Sequence, residues 1–269
     1  MSTLPTPAPS TIASSKFFHF KYFSVNQEGV AMRVNTDGVL LGAWVRLPEH
    51  TDFPKVLDVG TGSGVIALMA AQRITASSLY RCFSIDALEP HLPSAHAAES
   101  NFQASPWASN THLYHCTLQD YSYRQSKNSN QMVRSNTPYD LVLSNPPYFA
   151  DSLRPPTHER LIARHTDWLP HEDLLQGVAT LLHPLGCFGV ALPALQQQHF
   201  IASATSVGLY LCRETFVRTV AHRPPKRVLM EFKKREEPLQ SDSIFIHHVD
   251  NDGFSEAYRQ LTQDFYLAF

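Results

Sequence analysis

The chain holds 269 residues, 43% of them hydrophobic and 17% charged, with a formal net charge of −2. That is apolar mass enough for one large folded α/β domain, and too much for a disordered chain. The near-neutral balance excludes wholesale attraction to nucleic acid, leaving only local basic patches, and no apolar run reaches membrane-spanning length.

Residues 1–15, rich in Ser, Thr, Pro and Ala, lack a basic stretch followed by an apolar core, so they read as a disordered tail and not as a secretory leader. Residues 16–50 read as an N-terminal extension, and 51–269 as the main domain. Within that domain strand-like runs alternate with helical patterns, as in βαβ units around a parallel sheet. Lys55–Val59 reads as a strand, Val65–Arg73 as a helix, Tyr80–Leu88 as a strand, His91–Gln103 as a helix and Thr111–Cys116 as a third strand. Arg124–Pro138, polar and without apolar period, reads as a surface insertion before a fourth strand, Tyr139–Ser144. A helix over His171–His183, a turn at Pro184-Leu185-Gly186, a strand at Cys187–Leu192 and a helix over Gln196–Val207 follow. Leu209–Val217 and Arg227–Phe232 look like closing antiparallel strands, and Ser255–Leu267 like a docked C-terminal helix. The sum is a Rossmann-like, mainly parallel seven-stranded sheet with helices on both faces.

Cys82, Cys116, Cys187 and Cys212 form no close pair, which suits free thiols in a reducing cytoplasm and argues against a disulfide scaffold or a CxxC zinc site. His112/His115 and His247/His248 lack matching Cys or carboxylate partners and read as non-ligands, so no metal is expected.

Two constellations carry chemistry. Residues 56–65 read Val-Leu-Asp-Val-Gly-Thr-Gly-Ser-Gly-Val, a strand running into a glycine-rich turn and then a helix. A dinucleotide-binding G-x-G-x-x-G would place its third glycine at Val65, whose branched side chain crowds the pyrophosphate path. Asp58-x-Gly60-x-Gly62-x-Gly64 is instead the pattern of an S-adenosylmethionine site, with Asp58 toward the amino-acid end and bare backbone beneath the cofactor. The next strand ends in Ile85-Asp86-Ala87-Leu88-Glu89; Glu89 at its tip is placed to accept from both ribose hydroxyls, with a local structural role for Asp86.

The second constellation is Ser144-Asn145-Pro146-Pro147-Tyr148, an apolar strand ended by a stiff turn. Each proline locks φ, lacks an N–H, and pushes its predecessor to extended geometry. The Asn145 amide oxygen and the Pro146 carbonyl could each accept one hydrogen of an exocyclic amine, while Tyr148 offers a face for the ring that bears it. Two basic runs could hold RNA phosphates: Arg154, Arg160, Arg164 and His165 after the turn, and Arg218, Arg223, Lys226, Arg227, Lys233, Lys234 and Arg235 later.

Together these motifs resemble class I S-adenosylmethionine-dependent methyltransferases acting on amino groups. More narrowly, the chain resembles the bacterial enzymes that N6-methylate adenosine 37 of a valine tRNA. The likeness runs from Phe18-His19-Phe20-Lys21 through Thr36-Asp37-Gly38-Val39-Leu40-Leu41-Gly42-Ala43-Trp44, the glycine turn and Ser105-Pro106-Trp107-Ala108, to Ser255-Glu256-Ala257-Tyr258. It implies that Thr36 and Asp37 lie near the methionine end of the cofactor, although Asp37-Gly38 is also an ordinary turn pair. Where the family usually carries an acidic residue against the cofactor's adenine, this chain has Thr117, with Asp120 as the alternative. The implied activity is that of a cytoplasmic, monomeric tRNA-modifying enzyme. Methylation of a protein glutamine or another base, and a non-catalytic RNA-binding protein, are the alternatives.

Overall fold

A computed structural model describes residues 16–127, 138–146, 169–248 and 253–269. One eight-stranded sheet organises them. Its parallel heart is β3 (Lys55–Val59), β4 (Ser84–Leu88), β5 (Thr111–Tyr114), β6 (Tyr139–Ser144) and β7 (Leu182–Pro193). To these add β8 (Tyr210–Arg218), β9 (Arg227–Lys233) and β10 (Gln240–Phe245), in the spatial order β10-β8-β9-β7-β6-β3-β4-β5. Only β9 runs antiparallel to its neighbours β7 and β8. The central strands are buried on both faces and read as near-continuous Val/Leu runs, as a helix-covered parallel sheet requires.

Helices cover the faces: α1 (Thr36–Trp44), α2 (Val65–Ala76), α3 (Leu92–Gln103), α4 (Leu118–Lys127), α5 (His171–Leu181), α6 (Gln197–Ser206) and α7 (Glu256–Thr262). α1 is buried from Gly38 to Trp44 and lies so close to α2 that a Cβ on Gly42 would meet the Met69 sulfur at 2.9 Å. The N-terminal segment is part of the same core: Phe20, Phe23 and Val25 pack in one apolar cluster with Met69, Phe102 and Trp107. A short antiparallel pair, β1 (Phe17–His19) and β2 (Ser24–Asn26), presents them. The Lys21 ammonium donates to the carbonyls of Gln263 (2.7 Å) and Phe269 (2.8 Å), fastening this segment to the C-terminal helix.

Several boundaries differ from the sequence expectation. The Tyr80–Leu88 strand shortens to Ser84–Leu88, and the Ser255–Leu267 helix to Glu256–Thr262. Pro184-Leu185-Gly186 is not a turn between elements but a bulge inside β7. Two steps along β6 (Tyr139 to Leu141) pair with five along β7 (Leu182 to Cys187), so three residues loop out. Two helices and a strand were not read from the sequence. α1 is apolar all round and α4 begins before the polar insertion, whose residues 128–137 lie outside the described chain. β10 is the eighth strand, polar and exposed over Gln240–Ser243, and it pairs with β8 at the sheet edge. None of the described helices is long and apolar enough to cross a membrane.

Candidate active site

The carboxyl ends of β3, β4 and β6 surround a cavity of about 490 Å³, where ligands of parallel α/β sheets bind. Gly60, Thr61, Gly62 and Ser63 form one wall, Glu89 and His91 another, Thr117 and Leu118 a third, and Ser144, Asn145 and Pro146 a fourth. The glycine turn is tied down by Gly60 N–H and Thr61 N–H, which donate to the Leu88 carbonyl at 2.9 and 3.0 Å. Gly64 takes φ +84°, and a Cβ there would lie 2.5 Å from Phe102. Gly60, at φ +69°, has the opposite surroundings: a Cβ would meet nothing within 4 Å, so its bare backbone faces open space.

The acidic residues divide by role. Glu89 lies in the wall, its Oε2 accepting from Gly62 N–H (2.8 Å) and its Oε1 from His91 N–H (2.9 Å). Asp86 is instead interior, taking the Tyr139 hydroxyl at 2.5 Å and the Tyr121 hydroxyl at 3.4 Å. Asp58 is fully buried behind the turn and does not line the cavity, contrary to the expectation from sequence. Its Oδ2 accepts from Thr61 Oγ1 (2.6 Å) and Ala67 N–H (3.2 Å), while its Oδ1 is buried with no hydrogen-bond partner. Loss of solvation, with a smaller push from Glu89, raises its carboxyl to about 7.

Thr36 and Asp37 also stand back from the wall. Their neighbours Asn35 and Gly38 line it, because Asn35 caps α1 and directs the helix end at the cavity. Asp37 pairs with Arg227 at 2.7 Å. Thr117 lines the cavity and caps α4, donating to Asp120 Oδ2 (2.8 Å) and accepting from Asp120 N–H (3.1 Å); the Asp120 carboxylate is thereby held off the wall. Asn145 is 9% exposed, and the Ser144 hydroxyl anchors the corner to the Val59 carbonyl at 2.9 Å. Pro147 and Tyr148, with the basic run Arg154, Arg160, Arg164 and His165, lie outside the described residues.

Sequence reading missed the contribution of Met32, Arg33 and Asn35 to the wall. The Asn35-Thr36-Asp37-Gly38 cap pattern could have located them, since Asn followed by a helix start is a legible cap.

No family model matches the chain. A tRNA1(Val) (adenine(37)-N6)-methyltransferase of Bacteroides fragilis is 39% identical over 254 residues, covering 94% of this chain and 99% of the relative. Those of Trichodesmium erythraeum and Photobacterium profundum are 36% and 37% identical, again over 94% of this chain and 98% and 99% of theirs. The chain belongs to this family. Among solved structures, a predicted O-methyltransferase of Agrobacterium tumefaciens matches with a TM-score of 0.61 at 15% identity, over 85% of this chain and 96% of that one. A type I restriction-modification methyltransferase subunit of Streptococcus thermophilus matches at 0.55 and 14%, over 85% and 51%. Both are likenesses of fold, and the methyltransferase fold is the one that this family member adopts.

Membership also gives meaning to the second basic run, which the sheet splits in two. Arg227 pairs with Pro193 at the cavity edge, whereas Lys233 sits at the other end of β9. Lys233 is bound to Glu237 (2.8 Å), and Lys234 donates to the Leu182 carbonyl (2.7 Å). Arg223 and Lys226 are exposed on the β8–β9 loop at the cavity end.

Proposed function

We propose that the chain transfers a methyl group from S-adenosylmethionine to the N6 amine of adenosine 37 in a tRNA. One observation carries the reading: the Asn145-Pro146 corner and residues 60–63 of the glycine turn line the same cavity. The residues fit the cofactor, because Gly60 leaves a cradle that any side chain would fill and about 490 Å³ is ample for a nucleoside-sized group. Glu89 would hold the ribose hydroxyls, Thr117 and Leu118 would flank the adenine, and Asn35 and Gly38 would border the methionine end. When bound, S-adenosylmethionine supplies an electrophilic methyl on a sulfonium centre.

The protein's own work is positioning. An adenine amine is a weak nucleophile because its lone pair is delocalised into the ring. With Asn145 Oδ1 and the Pro146 carbonyl each accepting one N–H, the lone pair would localise on nitrogen and be available to the methyl that S-adenosylmethionine would supply. By sequence alone, since both lie outside the described residues, Pro147 would add stiffness and Tyr148 would offer a stacking face for the flipped base. That stacking offsets about 1–3 kcal/mol of lost base stacking. The amine proton leaves to solvent after transfer, and neither a metal nor a covalent enzyme intermediate is required.

The RNA approaches from the cavity side, where Arg33, Arg223 and Lys226 are exposed. A tRNA substrate supports a cytoplasmic location, and a described cavity wall drawn from one chain supports a monomer. The decisive experiment is labelled-methyl transfer to total tRNA from cells lacking the enzyme, followed by nucleoside analysis. Asn145→Ala should lower the rate by about 10³-fold with cofactor affinity retained. Unchanged turnover, or label on protein glutamine or another base, would remove this reading.

A further inference from the structure

We infer that Asn35 is a positioning residue that fixes which end of the Asn145 amide meets the substrate; this rests on the catalytic reading above. An asparagine amide has an oxygen end and an NH₂ end of nearly the same shape, and only the oxygen end can accept an amine hydrogen. Something beside Asn145 has to choose between them.

The orientation of the Asn35 side chain is itself determined. Its Oδ1 accepts the Gly38 N–H at 2.9 Å as the α1 cap, and its Nδ2 donates to the Arg33 carbonyl at 3.3 Å. Reversing it would set an NH₂ against the Gly38 N–H and an oxygen against a carbonyl, so the reverse form is excluded. The second lone pair of Asn35 Oδ1 faces Asn145 Nδ2 at 3.5 Å. Flipping Asn145 would bring two amide oxygens together there. The contact is long and adds little binding energy; its effect is to select an orientation.

Gly38 lies beside the pair: a Cβ at that position would be in ordinary contact with both amides, 3.6 Å from Asn145 Nδ2 and 3.7 Å from Asn35 Oδ1. Because Asn35 heads α1, the contact links the N-terminal segment to the Asn145 corner 110 positions later. A cap alone would not need this neighbour, since serine or threonine caps a helix as well.

Two replacements separate positioning from capping. Asn35→Ser retains the cap oxygen but is too short to reach Asn145, whereas Asn35→Asp presents oxygen to both Gly38 and Asn145. In Asn35→Ser, kcat at saturating cofactor should fall about 10- to 100-fold, as for a misplaced catalytic group, with KM for tRNA within about twofold and thermal unfolding nearly unmoved. Asn35→Asp should recover most of that kcat. The side-chain ¹⁵NH₂ resonances of Asn145, identified by their loss in Asn145→Ala, should shift in Asn35→Ser and return toward the native position in Asn35→Asp. Native kcat in Asn35→Ser, or an Asn35→Asp protein as slow as Asn35→Ser, overturns the inference. If Asn145→Ala itself retains transfer, the catalytic reading fails instead, so the two failures are told apart.

Discussion

β3 and β6 each have two ends, and the two edges of the sheet treat polar groups oppositely. At the carboxyl edge, next to the cavity, Asp58 keeps a buried oxygen with no partner and Gly60 exposes bare backbone. At the amino edge the same strands begin with paired groups. Asp140 takes His50 Nε2 at 2.7 Å on one oxygen and the Lys55 N–H at 2.9 Å on the other. His183 stacks on His50 with ring centroids 5.1 Å apart, and its Nδ1 accepts from Leu185 N–H at 3.1 Å. His50, Asp140 and His183 bring potential ligand atoms within 4.8 Å of one another. The Leu185 N–H thus already occupies one ring nitrogen of His183. One edge leaves capacity for a ligand; the other spends its polar groups on closing the fold.

The contrast can be broken most severely at Gly64. Replacement with Ala puts a methyl into Phe102 at positive φ and should cost about 2–4 kcal/mol of stability in chemical denaturation. Gly60→Ala, where space is open, should cost only about 1 kcal/mol while weakening cofactor binding far more, as read by calorimetry. If both changes acted alike, the two faces of the turn would not differ as described.

At the amino edge, Asp140→Ala strands His50 and the Lys55 N–H and should lose about 2 kcal/mol with kcat retained. A fall in kcat matching the loss of stability would mean that this edge is not separate from the site.

Asp58 sharpens the comparison through pH. Its carboxyl is raised in the fold to about 7 from an ordinary 3.8, so folding favours the protonated form. Its contribution is complete below the unfolded value and is lost as pH rises through the folded one. Asp58→Asn retains the acceptor for Thr61 and Ala67 but cannot ionise. The stability difference, native minus Asp58→Asn, should therefore decline between about pH 4 and 7 with a slope of ~1 kcal/mol per pH unit. A flat difference would place Asp58 in a solvated setting.

The smallest effect concerns RNA. Replacing Arg223 and Lys226 with Gln should make the log–log salt dependence of tRNA binding shallower by about 1–2, whereas Lys233 and Lys234 replacements should leave it unmoved. Equal effects would mean that both ends of β9 meet RNA.

Much of this was legible from residues alone. The order of strands and helices, the three-glycine turn and the strand-ending Asn145-Pro146 corner follow from periodicity, positive-φ demand and proline stiffness, all of them local properties. The eighth strand was not legible, because a polar edge strand such as Gln240–Phe245 is recruited by the unpaired backbone of β8 and not by its own side chains. α1 was hidden for the opposite reason, being buried all round and so without a stripe.

What only the tertiary structure decided is which polar groups face the cavity. Asp58 and Glu89 are both acids at strand ends, yet one braces the turn from behind and the other lines the wall. The basic run from Arg218 to Arg235 is continuous in sequence but divided between opposite sheet edges by the length of β9. Sequence determines the chemistry available at each position. Its direction and partners depend on contacts between distant segments, such as Asn35 with Asn145, which no local pattern encodes.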